Sequence, residues 1–273
     1  MRCHGLVDSP GRVGADGHAC WGYEDLEGDF LDAAVAFLEE GRELGQALMF
    51  VGGPDAEAVV RSVEPLRGMV ADGTLQVAPF DDVYPGGHRR AHAEQWATYA
   101  GATQQALGVG RTGLRVLAEV TSLATGEGEW LGQARWESYA EGRMPGFTLS
   151  ALCCFDRTAL PAEGIAAIAS AHPLVDSRLA DVVPFQLFGP ADAMQLAGEV
   201  DAFSSNTLRH LLRSREADGD LVLHLDGLEF IEHTGVRALV ELADGMRARG
   251  RELRLVGAPA SLGRIADVLQ VSL

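Results

Sequence analysis

Short apolar runs alternate with segments of helical period along most of this chain, and that alternation restricts the folds open to it. Residues 29–42 set Phe30, Ala33, Ala34, Phe37 and Leu38 on one helical stripe, and after Gly45 residues 47–51 are continuously apolar. The spacing predicts a helix followed by a buried strand. Gly52-Gly53-Pro54-Asp55 ends that strand, with Asp55 placed to cap a helix over residues 56–69. Residues 114–120 and 147–155 are two further apolar runs, each following a helical segment. Strands apolar on both faces belong in a parallel sheet covered by helices, so an α/β fold is expected.

Pro184, Gly189 and Pro190 break the helical pattern within residues 177–190, and the composition changes across that stretch. A chain of 273 residues has room for two modest domains. We place them at residues 1–180 and 186–273. The second repeats the alternation: strand 193–200, helix 204–213, strand 220–225, helix 234–249, strand 252–256 and helix 261–269. A small α/β sheet with helices on one face is expected there.

Charge and residue usage remove several functions. Of the net charge of −17, −13 falls on the first 185 residues, which opposes direct nucleic-acid binding and contact with an anionic membrane. All 22 basic residues are arginine. Without lysine there is no Walker A contact to a nucleotide phosphate and no Schiff base. The opening residues lack a basic-then-apolar leader, and no apolar run is long enough to span a membrane, so a cytoplasmic protein is expected. Cys3, Cys20, Cys153 and Cys154 are too few and too irregularly placed for a disulfide framework, so reduced thiols are expected.

Three motifs stand in order in the second part: Leu196-Ala197-Gly198-Glu199-Val200-Asp201, then Leu223-His224-Leu225-Asp226-Gly227-Leu228, then Phe230-Ile231-Glu232-His233-Thr234-Gly235-Val236-Arg237. Through them residues 186–273 resemble a STAS domain, the module of bacterial anti-sigma factor antagonists. The resemblance implies binding to an anti-sigma factor, a serine/threonine kinase of histidine-kinase-like ATPase fold, and so release of a sigma factor. It also implies partner switching, because Thr234 stands where the family's Asp-Ser-Ser/Thr-Gly motif carries its phosphorylated hydroxyl and a phosphatase restores the unmodified state. Glu232 and His233 depart from the family's Asp and Ser. The docking surface expected from the resemblance comprises Asp226, Glu232, His233, Thr234, Gly235 and Arg237.

A hydroxyl at a helix N-terminus is open to a kinase, and a phosphate there meets the positive end of the helix dipole. It adds about −1.5 to −2 charge to a docking surface, which can abolish a complex without unfolding the domain. The residues leave a second role open, in which Thr234 simply caps the helix. Asp226 reads equally as a turn residue closing its strand. A self-associating STAS scaffold without switching is the alternative at the level of function.

In the first part, Asp16-Gly17-His18-Ala19-Cys20-Trp21-Gly22-Tyr23, Gly113-Leu114-Arg115-Val116-Leu117-Ala118-Glu119, Trp136-Glu137-Ser138-Tyr139, Cys153-Cys154-Phe155-Asp156 and His172-Pro173 follow one another. Over residues 14–177 they resemble the MEDS family, sensory domains described from methanogens and methylotrophs and associated with hydrocarbon derivatives. The resemblance implies a RecA-like parallel sheet without nucleotide chemistry, and a regulatory rather than catalytic protein. The residues agree, since the turn Gly52-Gly53-Pro54-Asp55 has no Gly-Lys-Ser/Thr and turns Asp55 toward any phosphate. A small-molecule ligand at the carboxyl ends of the strands is expected to meet His18, Cys20, Trp21, Gly52, Gly53, Arg115, Glu119, Cys154 and Asp156. Arg115 and Glu119 read equally as structural pairing groups.

His18, Cys20, Cys153, Cys154 and His172 include enough donors for zinc, but their spacing matches no paired zinc motif. Packing is the expected role, with no metal and no cofactor. His88 and His92 are four residues apart, yet lack the Glu of His-Glu-x-x-His and read as solvated surface. Trp21, Tyr23, Trp136 and Tyr139 read as core aromatics or as the wall of an apolar pocket. An enzyme with Cys154 as nucleophile and His172 as base is the competing reading of this domain.

Overall fold

The computed structural model describes residues 4–126, 128–215 and 219–270, so Cys3 lies outside the described residues. The first domain runs β1 (Gly5–Val7), β2 (His18–Tyr23), α1 (Leu31–Glu43), β3 (Ala47–Gly52), α2 (Pro54–Ser62), α3 (Leu66–Ala71), β4 (Leu75–Ala78), α4 (Phe80–Val83), α5 (His92–Gly108), β5 (Leu114–Glu119), α6 (Glu129–Glu141), β6 (Leu149–Asp156), α7 (Ala162–Ala169) and β7 (Leu174–Asp176). Its seven strands form a parallel sheet in the order β1-β7-β2-β6-β5-β3-β4. Every residue of β2 and β5 is buried, because helices cover both faces of the sheet. Leu117 joins Phe30, Phe37, Leu38 and Phe50 under α1, whereas its neighbour Val116 joins Trp136, Ile165 and Ile168 under α6 and α7.

Two local expectations are corrected. The helix expected over residues 56–69 is divided into α2 and α3 before Leu66, where Pro65 lacks an amide N–H and its ring clashes with the preceding turn. Asp55 does not cap α2. Gly53 holds the cap position and Pro54 the first helical position, where a missing N–H breaks no helical bond.

The second domain contains β8 (Phe185–Phe188), β9 (Met194–Val200), α8 (Ser205–Arg215), β10 (Leu221–His224), β11 (Leu228–Ile231), α9 (His233–Arg247), β12 (Leu253–Val256) and α10 (Ala260–Leu269). Its sheet is mixed: β11, β9, β10 and β12 are parallel, and β8 pairs antiparallel with β9. Residues 177–190 are therefore more than a break between domains. They hold a short 3-10 turn, Ser177–Leu179, and the strand β8, whose Phe185, Leu187 and Phe188 are buried.

The two domains share a core. Helix α8 packs against both α9 and α6, and one apolar cluster continues from Trp136 and Ile168 to Leu208, Leu211 and Leu239. At this joint the buried Arg215 donates to Ser138 O at 2.9 Å and to Gly189 O at 2.6 Å. Burying a guanidinium is costly unless its donors are met, and here backbone carbonyls from both sides of the joint meet them.

Candidate functional site

On the face under α6, β2 and β6 lie side by side with Cys20 opposite Cys153. Glu137 and Glu141 are one helical turn apart on α6, so both reach this face. His172 follows α7. These elements gather His18, Glu137, Cys153 and His172, all buried, with one donor atom of each within 4.8 Å of the others. Glu137 Oε2 lies 3.4 Å from His18 Nε2, 3.6 Å from Cys153 Sγ and 3.7 Å from His172 Nε2. Cys153 Sγ and His18 Nε2 are 3.6 Å apart.

An outer layer fixes these groups. His18 Nδ1 lies 3.0 Å from Glu141 Oε2, and Gln133 Nε2 donates to Glu137 Oε1 at 2.6 Å. His172 Nδ1 lies 2.9 Å from the Ile168 carbonyl, which can only accept, so Nδ1 carries the proton. Burial lowers the His172 pKa to about 4, with the charge of His18 acting in the same direction, so the ring is neutral and Nε2 is bare. That buried Nε2 makes no hydrogen bond. Burial also opposes protonation of His18, but its hydrogen bonds to Glu137 and Glu141 outweigh it and raise the pKa. The Cys153 thiol is pushed well up, first by burial and then by the Glu137 charge.

Beside the cluster lies a narrow cavity of about 40 Å3. His18, Glu137 and Cys153 form its polar end, and Tyr84, Trp96, Tyr99 and Trp136 wall it with aliphatic neighbours. The Tyr84 and Tyr99 hydroxyls satisfy each other at 3.1 Å. At about 10–15 Å3 per water-sized group, the space takes a molecule of few heavy atoms, apolar with one polar end.

The expected ligand residues do not form one site. His18 borders the cavity and Cys20 lies beside it on the same face, whereas Trp21 and Cys154 belong to the opposite core. Gly53, Glu119 and Asp156 line a separate cleft of about 510 Å3 with Glu24, Asp25 and Asp55, next to the end of β3 at Gly52. Glu119 accepts from Tyr23 Oη at 3.0 Å and from Thr121. So many carboxylates would repel a phosphate. Arg115 sits at the amino end of β5, bonded to Glu40, to Gln46 Oε1 at 3.0 Å and to Gly14 O at 3.1 Å, over the Phe37 ring. It ties α1 to the sheet rather than facing either space.

The dyad of Cys154 and His172 does not form: the two lie on opposite faces of the sheet, and burial raises the Cys154 thiol well above its ordinary pKa. His88 and His92 share no helix face either, since α5 begins at His92, whose ring packs on Trp136 and Tyr139. Of the four aromatics, Trp136 walls the cavity, Tyr139 stacks on Trp136, and Trp21 and Tyr23 fill the opposite core. Sequence reasoning missed Glu137 and Glu141 as site residues. The signal for them was the polar stripe Gln133, Glu137, Glu141, at intervals of four on a helix that is otherwise largely buried.

In the second domain, Glu232 holds the N-cap position of α9 and Thr234 is the second helical residue, so Thr234 is not the cap. Its Oγ1 is buried and makes no hydrogen bond, which corrects the expectation of an open hydroxyl. His233 and Arg237 are exposed, and His233 Nδ1 lies 3.1 Å from Glu232 Oε1. Gly235 is enclosed by Val200 and Ile231. Asp226 stands apart, beside Gly257 at the end of β10. The adjoining Gly227 carbonyl accepts from Gly198 N at 2.9 Å, and Ile231, which leads into α9, pairs with Val200. Phe203 and Phe230 are exposed near the Thr234 end of the sheet.

The fold and site together define a two-module α/β protein with a largely apolar cavity, polar at one end, beneath the helix α6 that also meets the second module. Residues 17–173 match the family model described as MEDS, MEthanogen/methylotroph, DcmR Sensory domain, and residues 191–272 match the STAS domain. The chain belongs to the MEDS family and carries a STAS domain after it; both are families of sensory or regulatory proteins. No curated protein matches the chain. Among the described residues, no helix is long and apolar enough to cross a membrane.

Proposed function

We propose that the chain is a sensor-coupled anti-sigma factor antagonist. The first domain takes a small, largely apolar molecule into the cavity beside His18 and Glu137, and the STAS domain docks on a kinase-type anti-sigma factor, which releases a sigma factor. The observation that carries this reading is the double engagement of α6. Its Glu137 borders the cavity, its Glu141 accepts from Gly189 N at 3.2 Å, and its Ser138 carbonyl holds Arg215. A ligand that favours one placement of α6 thereby favours one arrangement of the joint, provided it binds the two arrangements unequally.

Several features support docking near Thr234. The Glu232 amide donates to Val200 O at 2.8 Å, which brings the Asp201–Phe203 turn and the start of α9 to one end of the sheet. Phe203 and Phe230 offer apolar anchors there. The Thr234 hydroxyl has no hydrogen bond to lose, so turning it outward toward a kinase breaks none. Phosphorylation would then place about −1.5 to −2 charge at the docking end and release the partner, and a phosphatase would restore the complex. Affinity capture with wild type, Thr234→Ala and Thr234→Glu tests this. Retention of a kinase-type anti-sigma factor by the first two and its loss from Thr234→Glu is expected. Equal retention by all three would remove the switch, and capture of no such protein by any would remove the antagonist reading.

A further inference from the structure

We propose that His18 Nε2, Glu137 Oε2, Cys153 Sγ and His172 Nε2 bind one divalent metal ion of the zinc class. A tetrahedral site with metal–nitrogen, metal–oxygen and metal–sulfur distances of about 2.0–2.3 Å requires its donors to stand about 3.3–3.6 Å apart. Four of the six edges of this cluster measure 3.4, 3.6, 3.6 and 3.7 Å. Hydrogen bonding alone does not account for the arrangement, because His172 Nε2 is left bare and without a hydrogen bond inside it, an unfavourable state for a buried acceptor.

The outer layer carries the argument further. A histidine that holds a metal through one ring nitrogen characteristically donates the other N–H to a carboxylate or a backbone carbonyl, which fixes the tautomer. His172 does so to Ile168 O, and His18 is so placed against Glu141. Gln133 occupies Glu137 Oε1 and leaves Oε2 turned inward. Two imidazoles, a thiolate and a carboxylate suit a borderline ion such as Zn2+ or Co2+; Mg2+ and Ca2+ require oxygen donors. The thiolate and the Glu137 carboxylate balance the two positive charges. On binding, the Cys153 S–H bond breaks as the sulfur–metal bond forms, His18 likewise gives up its Nε2 proton as its nitrogen–metal bond forms, both protons leave to solvent, and no electron is transferred. The ion would stand at the polar end of the cavity.

Chelator-treated full-length protein titrated with Co2+ tests the assignment. One ion per chain is expected, with the strong visible bands of a four-coordinate site and a near-ultraviolet thiolate-to-metal band. Cys153→Ser should lose that band, whereas Cys154→Ser, on the opposite face of the sheet, should keep it. Glu141→Gln removes the carboxylate behind His18 Nδ1, keeps an amide oxygen for Gly189 N, and should weaken binding about 10–100-fold. Wild type is decisive by itself: no thiolate band, or the weak spectrum of a six-coordinate aquo ion, overturns the proposal even if a variant fails to fold. The same band surviving in folded Cys153→Ser also overturns it. The site rests on donor geometry alone, so its failure leaves the docking role of the STAS domain standing.

Discussion

Gly235 leaves no space for a side chain: a Cβ there would lie 2.7 Å from Val200 Cγ1 and 2.8 Å from Ile231 Cγ1. Gly235→Ala is expected to destabilise the protein by about 1–3 kcal/mol through overpacking. The measurement is a lower urea midpoint at unchanged slope. His92 offers a pH-dependent counterpart. Burial against Trp136 and Tyr139, then the charges of Arg135, Arg89 and Arg143, lower its pKa below 6.5. The unfolded chain therefore binds that proton more readily, so the contribution is fully present above about pH 6.5 and is lost as the pH falls. His92→Gln should flatten the decline of the thermal midpoint below that pH. A decline identical to wild type would show that other groups govern it, His210 among them, since burial and neighbouring arginines lower its pKa as well.

At the scale of elements, β3, β5 and β6 were legible because helices cover both faces of the sheet, so their sequences are mostly apolar without alternation. Strand β11 was not. It follows β10 after a three-residue turn and buries only its ends, Leu228 and Ile231, with Glu229 and Phe230 exposed between them, so its four residues carry no period of two. Helix α6 was expected only as a helical segment before residues 147–155, and its buried face was hidden, since it buries Gln133, Glu137, Ser138 and Glu141 and shows no apolar stripe. The same concealment explains the candidate site. His18, Cys153 and His172 stood out as donors, but which of them meet depends on strand pairing between distant segments, and Glu137 reads as an ordinary helix carboxylate until α6 is laid over β2 and β6. Arg115, which read equally as a ligand group and as a structural pairing group, is bonded to Glu40 and Gln46. Arg115→Met should leave Glu40 without its guanidinium partner and destabilise the first domain by about 3 kcal/mol, read by thermal unfolding.

Across the whole molecule, the continuous core through α6 and α8 predicts a single cooperative unfolding transition rather than one for each domain. Arg215 is the test of that union. Arg215→Ala leaves the Gly189 carbonyl without its donor, at about 1–3 kcal/mol, and leaves the Ser138 carbonyl only the Gly142 amide of its own helix end. Calorimetry should then resolve two transitions where wild type gives one. A single sharp transition in the variant would mean that apolar packing alone welds the domains.

Strand β8 has a consequence for how such modules are exchanged between proteins. It belongs to the second sheet, yet Gln186 Nε2 donates to His172 O and Pro173 O at 2.9 Å each, and the Leu187 amide donates to Ser170 O at 2.8 Å. The edge of the regulatory sheet is thus knitted to the loop that carries His172. A gene fusion cut between the two family regions would sever this knit whichever side kept the strand. A sensor grafted onto another output domain must therefore bring residues 185–188 and a strand to receive them, so recombination can exchange the pair more easily than either half.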